Sequence, residues 1–188
     1  MLTGAILAGG PNDTFDGTLK SFLPFDGQVI ITKQIHEMKK VCSEILVVTN
    51  QPRSFLSVVP RDIRIITDYH KQMGPLGGIH AALSLANRPT IWIVACGMPF
   101  IDSKVVKYML KLRNESNCQA VLPVLAQDPV YYHSLYRKNI IPEIEEGLFA
   151  NAGHPSFLLN HINWIQVNEV LFTKNELDPL CLSEITTI

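Results

Sequence analysis

The chain has 188 residues, of which 47% are hydrophobic and 18% are charged, and its formal net charge at neutral pH is −1. This composition fits a globular protein and excludes a disordered chain. The small net charge provides no basic surface of the kind that binds nucleic acid. The longest apolar stretch, residues 91–101, is interrupted by Gly97 and Pro99 and is too short to cross a bilayer. We therefore expect a single domain over residues 1–188, without a nucleic-acid or membrane partner.

The cysteine pattern and the N-terminus indicate the compartment. Cysteines occur at positions 42, 96, 118 and 181 without any Cys-x-x-Cys pair, which argues against a zinc site and fits reduced thiols. The N-terminal apolar run has no basic segment before it and so does not resemble a secretory signal. We expect a cytoplasmic protein whose cysteines fill the core.

Strands and helices are predicted to alternate along the first two thirds of the chain. Near-continuous apolar runs, typical of strands covered on both faces, are Gly4–Ala8, Glu44–Thr49, Ile63–Thr67, Thr90–Cys96 and Gln119–Leu125. Helical spacing of apolar residues links Ile31 to Cys42, Ile79 to Ala86 and Val105 to Leu112, with Asp102 or Ser103 as the N-cap of the last. This order predicts an α/β fold, a three-layer sandwich around a mostly parallel, doubly wound sheet.

The pattern changes after Pro129. Residues 130–136 predict a strand, Pro142 suits the first turn of a helix that continues through Phe149, and residues 151–155 form a loop. Residues 163–167 predict an edge strand. The segment from Asn168 onwards has little periodicity.

The first predicted strand ends in a glycine turn, Gly9 and Gly10, and Lys20 follows ten residues later. Glycines let backbone N–H groups approach a phosphate closely, and a lysine can supply the balancing charge. The same residues also suit a strand followed by an ordinary loop with a solvated lysine. Two better-known phosphate loops do not match, because Leu19 rather than glycine precedes Lys20 and no third glycine opens a helix.

Three segments that lie far apart in the sequence follow predicted strand ends: the glycine turn, Asp68 and Gly97. Ligands of doubly wound sheets bind beyond the carboxyl ends of the strands, so we expect these segments to meet in one cleft. Several polar residues also have simpler interpretations. Asp68 suits a turn with His70 and Lys71, and His133 and His154 suit structural roles. Thr49 and Asn50 end another strand, where a simple turn is favoured over a place in the wall of the base pocket.

Three ordered motifs carry a family resemblance over residues 1 to about 150. They are Leu7-Ala8-Gly9-Gly10 with Lys20, then Thr67-Asp68 with Gly74-Pro75-Leu76-Gly77-Gly78, and then Met98-Pro99-Phe100 after a strand. Together they resemble the molybdenum cofactor guanylyltransferases. That resemblance implies a nucleotidyltransferase that moves GMP from GTP to a molybdopterin-type cofactor with Mg²⁺, releasing pyrophosphate. Other proteins of the cofactor pathway are further implied partners.

The resemblance also assigns roles to individual residues. It implies that Leu7, Ala8, Gly9 and Gly10 bind the nucleotide and that Lys20 contacts its phosphates as the catalytic residue. Asp68 would lie on the nucleoside side, and residues 74–78 would form the pocket wall.

Two positions depart from the family pattern. Thr14 and Phe15 stand where the family has an arginine and a methionine, and Gly97 stands where it has a metal-binding aspartate. Asp13 and Asp16 add carboxylates to the same loop, and they or Asp102 are candidate replacements, so no metal ligand is assigned. These departures keep two alternatives open: a catalytically weak homologue that binds a nucleotide or a partner protein, and a cytidylyltransferase of the same fold.

Overall fold

An eight-stranded sheet lies at the centre of the computed structural model, which describes residues 1–10, 14–70 and 73–185. The strands in chain order are β1 (Thr3–Leu7), β2 (Thr14–Phe15), β3 (Thr18–Leu19), β4 (Pro24–Phe25), β5 (Gln28–Val29), β6 (Glu44–Val48), β7 (Arg64–Ile66), β8 (Thr90–Ala95), β9 (Ala120–Leu125), β10 (Asp128–Pro129), β11 (Ser134–Arg137) and β12 (Trp164–Val167). The helices are α1 (Ile30–Met38), α2 (Pro52–Phe55), α3 (Gly74–Leu85), α4 (Ser103–Ser116), α5 (Ile141–Phe149) and α6 (Glu169–Lys174). Short 3₁₀ turns cover Lys20–Phe22, Lys138–Ile140, Pro155–Asn160 and Pro179–Leu182.

The strand order across the sheet is β10-β9-β11-β8-β1-β6-β7, and β12 also pairs with β9. Strand β1 lies between β6 and β8 and is parallel to both, so the chain winds outwards from β1 in two directions. Strand β11 is antiparallel to β8 and β9. The predicted α/β fold with a mostly parallel, doubly wound sheet is therefore confirmed. The strand order reverses at β1, which is where ligands of such sheets bind.

Apolar side chains cover the sheet on both faces. On one face the core contains Ile31, Ile35 and Met38 of α1 with Val105 and Met109 of α4. On the other face it contains residues of α3 and α5, namely Leu76, Ile79, Leu83, Ile144 and Leu148. In β8, Trp92 and Val94 point to the first cluster and Ile91 and Ile93 to the second, as the two-residue period of a strand requires. The predicted three layers follow from this alternation.

Two predicted boundaries are wrong for identifiable reasons. Helix α1 ends at Met38 rather than Cys42, because the following residues turn and the Ser43 N–H donates to Leu2 O at 3.0 Å to start β6. The strand predicted over residues 130–136 begins only at Ser134. The preceding His133 has a φ of 56°, which lies outside the extended region of a strand.

The C-terminal segment contains structure that its sequence pattern did not predict. Helix α6 begins after Asn168, whose side chain accepts from the Leu171 N–H, and a 3₁₀ turn follows at Pro179–Leu182. Each element is too short to show a helical period of apolar residues. Phe172, Cys181 and Leu182 are nevertheless buried in the core.

The four cysteines are free, and three of them are buried. Burial raises the pKa of the Cys42 and Cys181 thiols to about 12, so both are neutral at ordinary pH. This agrees with the predicted core-filling role. Within residues 1–10, 14–70 and 73–185, no helix is long and apolar enough to cross a membrane.

Candidate functional site

A cleft of about 410 Å³ opens at the carboxyl ends of β1, β6 and β8. The glycine turn, Asp68 and Gly97 all line it, so the structure brings together the three strand-end segments that the sequence singled out. Its lining includes five of the six residues expected to bind a nucleotide: Leu7, Gly9, Gly10, Lys20 and Asp68. Ala8 is buried behind the wall, and its N–H donates to Val48 O at 2.8 Å.

The glycine turn is held in place by the strand-ending segment of β6. The Asn50 side-chain amide donates from Nδ2 to Gly9 O at 2.8 Å. A Cβ on Gly9 would lie 3.2 Å from both the backbone and the side-chain nitrogen of Asn50, so the close approach suits glycine. Thr49 and Asn50 therefore form part of the cleft wall, and the prediction of a simple strand-ending turn was incomplete. The sequence allowed this place as the less favoured alternative, and the pairing of β1 with β6 produces it.

Lys20 reaches across the cleft from the start of a 3₁₀ turn that follows the β2–β3 hairpin. Its Cδ lies 3.2 Å from the position that a Cβ on Gly97 would occupy. The lysine thus connects the loop after the glycine turn with the end of β8. Gly97 itself is buried and its φ is not in the left-handed region.

Asp68 is both a turn residue and a cleft residue. Its Oδ1 accepts from the His70 N–H at 2.7 Å, which is the turn that the sequence allowed. A Cβ on Gly77 would lie 2.7 Å from Asp68 Oδ2 and 3.1 Å from His70 O. The first turn of α3 therefore packs directly against the carboxylate and fixes its position.

On the nucleotide binding that the resemblance implies, we expect Gly77→Ala to displace Asp68 and to weaken that binding by roughly three- to tenfold, the effect of losing about one hydrogen bond. Calorimetric titration with GTP measures the effect. In an Asp68→Ala background the same substitution is expected to add little, because the atom it displaces is gone. An equal loss in both backgrounds would show that Gly77 acts on some other part of the cleft.

The start of α3 also anchors the loop at residues 151–155. Gly74 has a φ of +65°, and a Cβ there would lie 2.6 Å from Gly153 O. The same Gly153 O accepts from the Leu76 N–H at 3.1 Å. This contact brings His154 to the cleft, where its ring packs against Tyr131 with a centroid distance of 5.0 Å. His154 also caps the 3₁₀ turn Pro155–Asn160, because its Nδ1 accepts from the Ser156 N–H at 3.2 Å, so the structural role predicted for it fits the structure.

Glu184 is a cleft residue that the sequence did not reveal. It belongs to residues 183–185, named here the C-terminal strap, whose Ile185 N–H donates to Gly97 O at 2.8 Å. Glu184 Oε2 lies 4.0 Å from the Cβ position of Gly97. No sequence motif marks this residue, because only the folded path of the chain brings it to the end of β8.

Two buried polar side chains brace the segment after β8. The Gln34 amide donates from Nε2 to Ala95 O at 2.8 Å and to Met98 O at 2.9 Å. His133 accepts through Nε2 from the Asp102 N–H at 2.9 Å. Asp102 in turn accepts from the Lys104 N–H, which confirms it as the N-cap of α4. The structural role predicted for His133 fits this contact.

Burial lowers the pKa of His133 to about 4. The unfolded chain binds a proton at this histidine below about pH 6.5, whereas the folded protein resists it, so stability is expected to fall as pH drops from 6.5 to 4. The expected loss is about 3 kcal/mol in the free energy of unfolding. Urea unfolding at pH 7 and at pH 4.5 measures it. His133→Gln keeps an acceptor but cannot titrate, and its stability should fall less; equal falls in both proteins would contradict this assignment.

The described residues contain no group of three or more histidine, cysteine, aspartate or glutamate side chains able to hold a metal ion. Of the candidate replacements for a carboxylate at position 97, Asp102 serves as a helix cap and Asp16 is exposed in the β2–β3 turn. Asp13 lies outside the described residues. Mg²⁺ commonly uses one or two carboxylates together with substrate phosphates, and the carboxylates among the described lining residues are Asp68 and Glu184.

A doubly wound sheet with a glycine turn, a lysine and a carboxylate at its switch point is an arrangement that nucleotide-binding α/β proteins share. Residues 4–164 match the family model described as the MobA-like NTP transferase domain. The chain belongs to this family.

Named relatives support this membership, and solved structures share the fold. The chain is 31% identical over 147 residues to a molybdenum cofactor guanylyltransferase of Desulfosudis oleivorans, covering 78% of this chain and 71% of the relative. It is 27% identical over 150 residues to a probable molybdenum cofactor guanylyltransferase of Clostridium perfringens, covering 80% and 73%. The fold resembles that of molybdopterin-guanine dinucleotide biosynthesis protein A from Archaeoglobus fulgidus, with a TM-score of 0.83, 20% identity and coverage of 100% and 93%. It also resembles a CMP:2-keto-3-deoxy-manno-octonic acid synthetase complexed with CTP, with a TM-score of 0.68, 14% identity and coverage of 89% and 90%.

Proposed function

We propose that this protein transfers GMP from GTP to a molybdopterin-type cofactor and so forms the guanine dinucleotide cofactor and pyrophosphate. The family membership and the guanylyltransferase relatives support this proposal. The observation that carries it is the position of Lys20, whose side chain enters the cleft that the glycine turn lines. An ammonium group beside such a turn suits a chain of phosphates.

In the proposed reaction, a phosphate oxygen of the acceptor attacks the α-phosphorus of GTP. A new P–O bond forms there, and the bond to the β-phosphate breaks, so that pyrophosphate leaves with the electron pair. Negative charge grows on the transferred and leaving groups, and Lys20 would stabilise it. Because the Ala8 N–H is already bonded to Val48 O, a nucleotide contact at Ala8 would use its carbonyl group instead.

The charges in the cleft indicate that the protein does not neutralise a triphosphate alone. Among the described lining residues, the positive charge of a lysine or arginine comes from Lys20 alone, whereas Asp68 and Glu184 each carry a negative charge. A triphosphate adds further negative charge to this set. Mg²⁺, when bound, would supply a Lewis acid to the phosphates and offset this excess.

Two alternatives each have a supporting observation. Gly97 offers no ligand atom on its side chain, which favours a catalytically weak homologue that binds a nucleotide or a partner protein. The synthetase complexed with CTP shares the fold, which favours a cytidylyltransferase. The base pocket decides between GTP and CTP, and its residues lie on the Asp68 side in our proposal.

Calorimetric titration with GTP, CTP and ATP, with and without Mg²⁺, tests the proposal. We expect GTP to bind more tightly than the other two and Mg²⁺ to tighten its binding. Incubation with GTP and a molybdopterin acceptor, followed by mass spectrometry, should reveal the dinucleotide product. Tight GTP binding without product would support the catalytically weak homologue, and preference for CTP would support the cytidylyltransferase.

A further inference from the structure

The C-terminal strap places a carboxylate beside the end of β8. Two buried residues, Cys181 and Leu182, immediately precede the strap and pack in the core with Phe172. On the other side of Glu184, the Ile185 N–H donates to Gly97 O at 2.8 Å. Glu184 is therefore held between a packed anchor and a backbone hydrogen bond, so its position at the cleft is set by the fold.

The space beside Gly97 is shared by two charged side chains from distant parts of the chain. Lys20 Cδ lies 3.2 Å and Glu184 Oε2 lies 4.0 Å from the point that a Cβ on Gly97 would occupy. A side chain at position 97 would enter the same volume. The C-terminal strap thus places a carboxylate beside Gly97, whose own side chain is a single hydrogen atom.

We propose that Glu184 holds the divalent cation that accompanies the phosphates of the nucleotide in this cleft. This inference rests on the proposed nucleotide binding. A carboxylate oxygen is a ligand that Mg²⁺ prefers, and phosphate oxygens and water would complete the coordination shell. The negative charge of the described lining makes a cation favourable there, and Lys20 beside it would balance the phosphates.

Glu184→Gln tests this inference because it keeps the size of the side chain and removes the charge. The GTP affinity of the parent protein, measured by calorimetry, should rise roughly tenfold or more when saturating Mg²⁺ is added, the gain expected for one charge-assisted contact. In Glu184→Gln we expect this gain to shrink to about twofold or less, with metal-free GTP binding kept. Mn²⁺ bound with GTP, followed by electron paramagnetic resonance, should show the same loss.

Two further variants make the result specific. Glu176→Gln removes the same charge from an exposed position in the same C-terminal segment and should behave like the parent protein. Gly97→Asp combined with Glu184→Gln should regain the Mg²⁺ dependence, because the new carboxylate enters the volume that Glu184 approaches. A double variant that stays indifferent to Mg²⁺ would contradict the shared position.

The outcomes separate this inference from the proposed function. If Glu184→Gln keeps the full Mg²⁺ dependence, the inference is wrong and the proposed function stands. If Glu184→Gln binds GTP more tightly to the same degree with and without Mg²⁺, Glu184 is a competitor of the phosphates rather than a cation ligand. If the parent protein binds no GTP under any condition, both the inference and the proposed function are overturned.

Discussion

Gly97→Asp is expected to raise the rate of guanylyl transfer by roughly tenfold or more, the effect of one charge-assisted contact made in the transition state. The resemblance to the guanylyltransferases implies an aspartate at this position. The backbone permits it, because the φ of Gly97 lies outside the left-handed region. The close neighbour of the new Cβ is Lys20 Cδ at 3.2 Å, which belongs to a flexible side chain and can move. A transfer assay at several Mg²⁺ concentrations measures the gain.

Gly97→Asn is the matched control for this substitution. It adds a side chain of the same size without the charge, so it should produce no gain in rate or in Mg²⁺ affinity. Adding Thr14→Arg to Gly97→Asp should increase the rate further, since the resemblance implies an arginine in this loop. A folded Gly97→Asp protein that binds GTP like the parent and gains nothing would falsify the idea that a carboxylate at position 97 strengthens this site.

Lys20→Ala is expected to weaken GTP binding at least tenfold, because an ammonium–phosphate contact contributes about 1.5–3 kcal/mol. Transfer should fall by a larger factor, since negative charge grows on the phosphates in the transition state. Titration calorimetry and the transfer assay measure the two effects separately.

Lys107→Ala removes a lysine from the exposed face of α4 and should leave both quantities unchanged. Lys20→Arg keeps the positive charge and should retain part of the binding. Equal GTP affinity in Lys20→Ala and in the parent protein would remove Lys20 from the site.

The sequence predicted the sheet well because each central strand is a short apolar run that is covered on both faces. The same argument placed the glycine turn, Asp68 and Gly97 at one edge, since strand ends of a parallel sheet converge. Gly74 to Gly78 illustrate a limit of periodicity. They belong to α3, but three of these five residues are glycines, which carry no side chain from which a helical pattern could be read.

The remaining site residues depend on contacts that no local pattern encodes. Asn50 reaches Gly9 because β6 pairs with β1, and His154 reaches the cleft because Gly153 packs against Gly74. Glu184 arrives through a segment whose helices are too short to show a period. Such residues follow from the tertiary path of the chain, which local patterns of sequence do not encode.

The central position of β1 has a consequence for how the protein folds. Thr3 pairs with Glu44 on one side and with Ile91 on the other, so the two neighbours of β1 come from remote parts of the chain. Closing these long loops costs conformational entropy before the parallel pairing contributes any stabilising free energy, which makes such sheets slow to fold. The glycine turn follows β1 directly and therefore reaches its native geometry only when β1 has paired with β6 and β8. A nucleotide that binds this turn would recognise the native state alone and should slow unfolding more than it speeds folding.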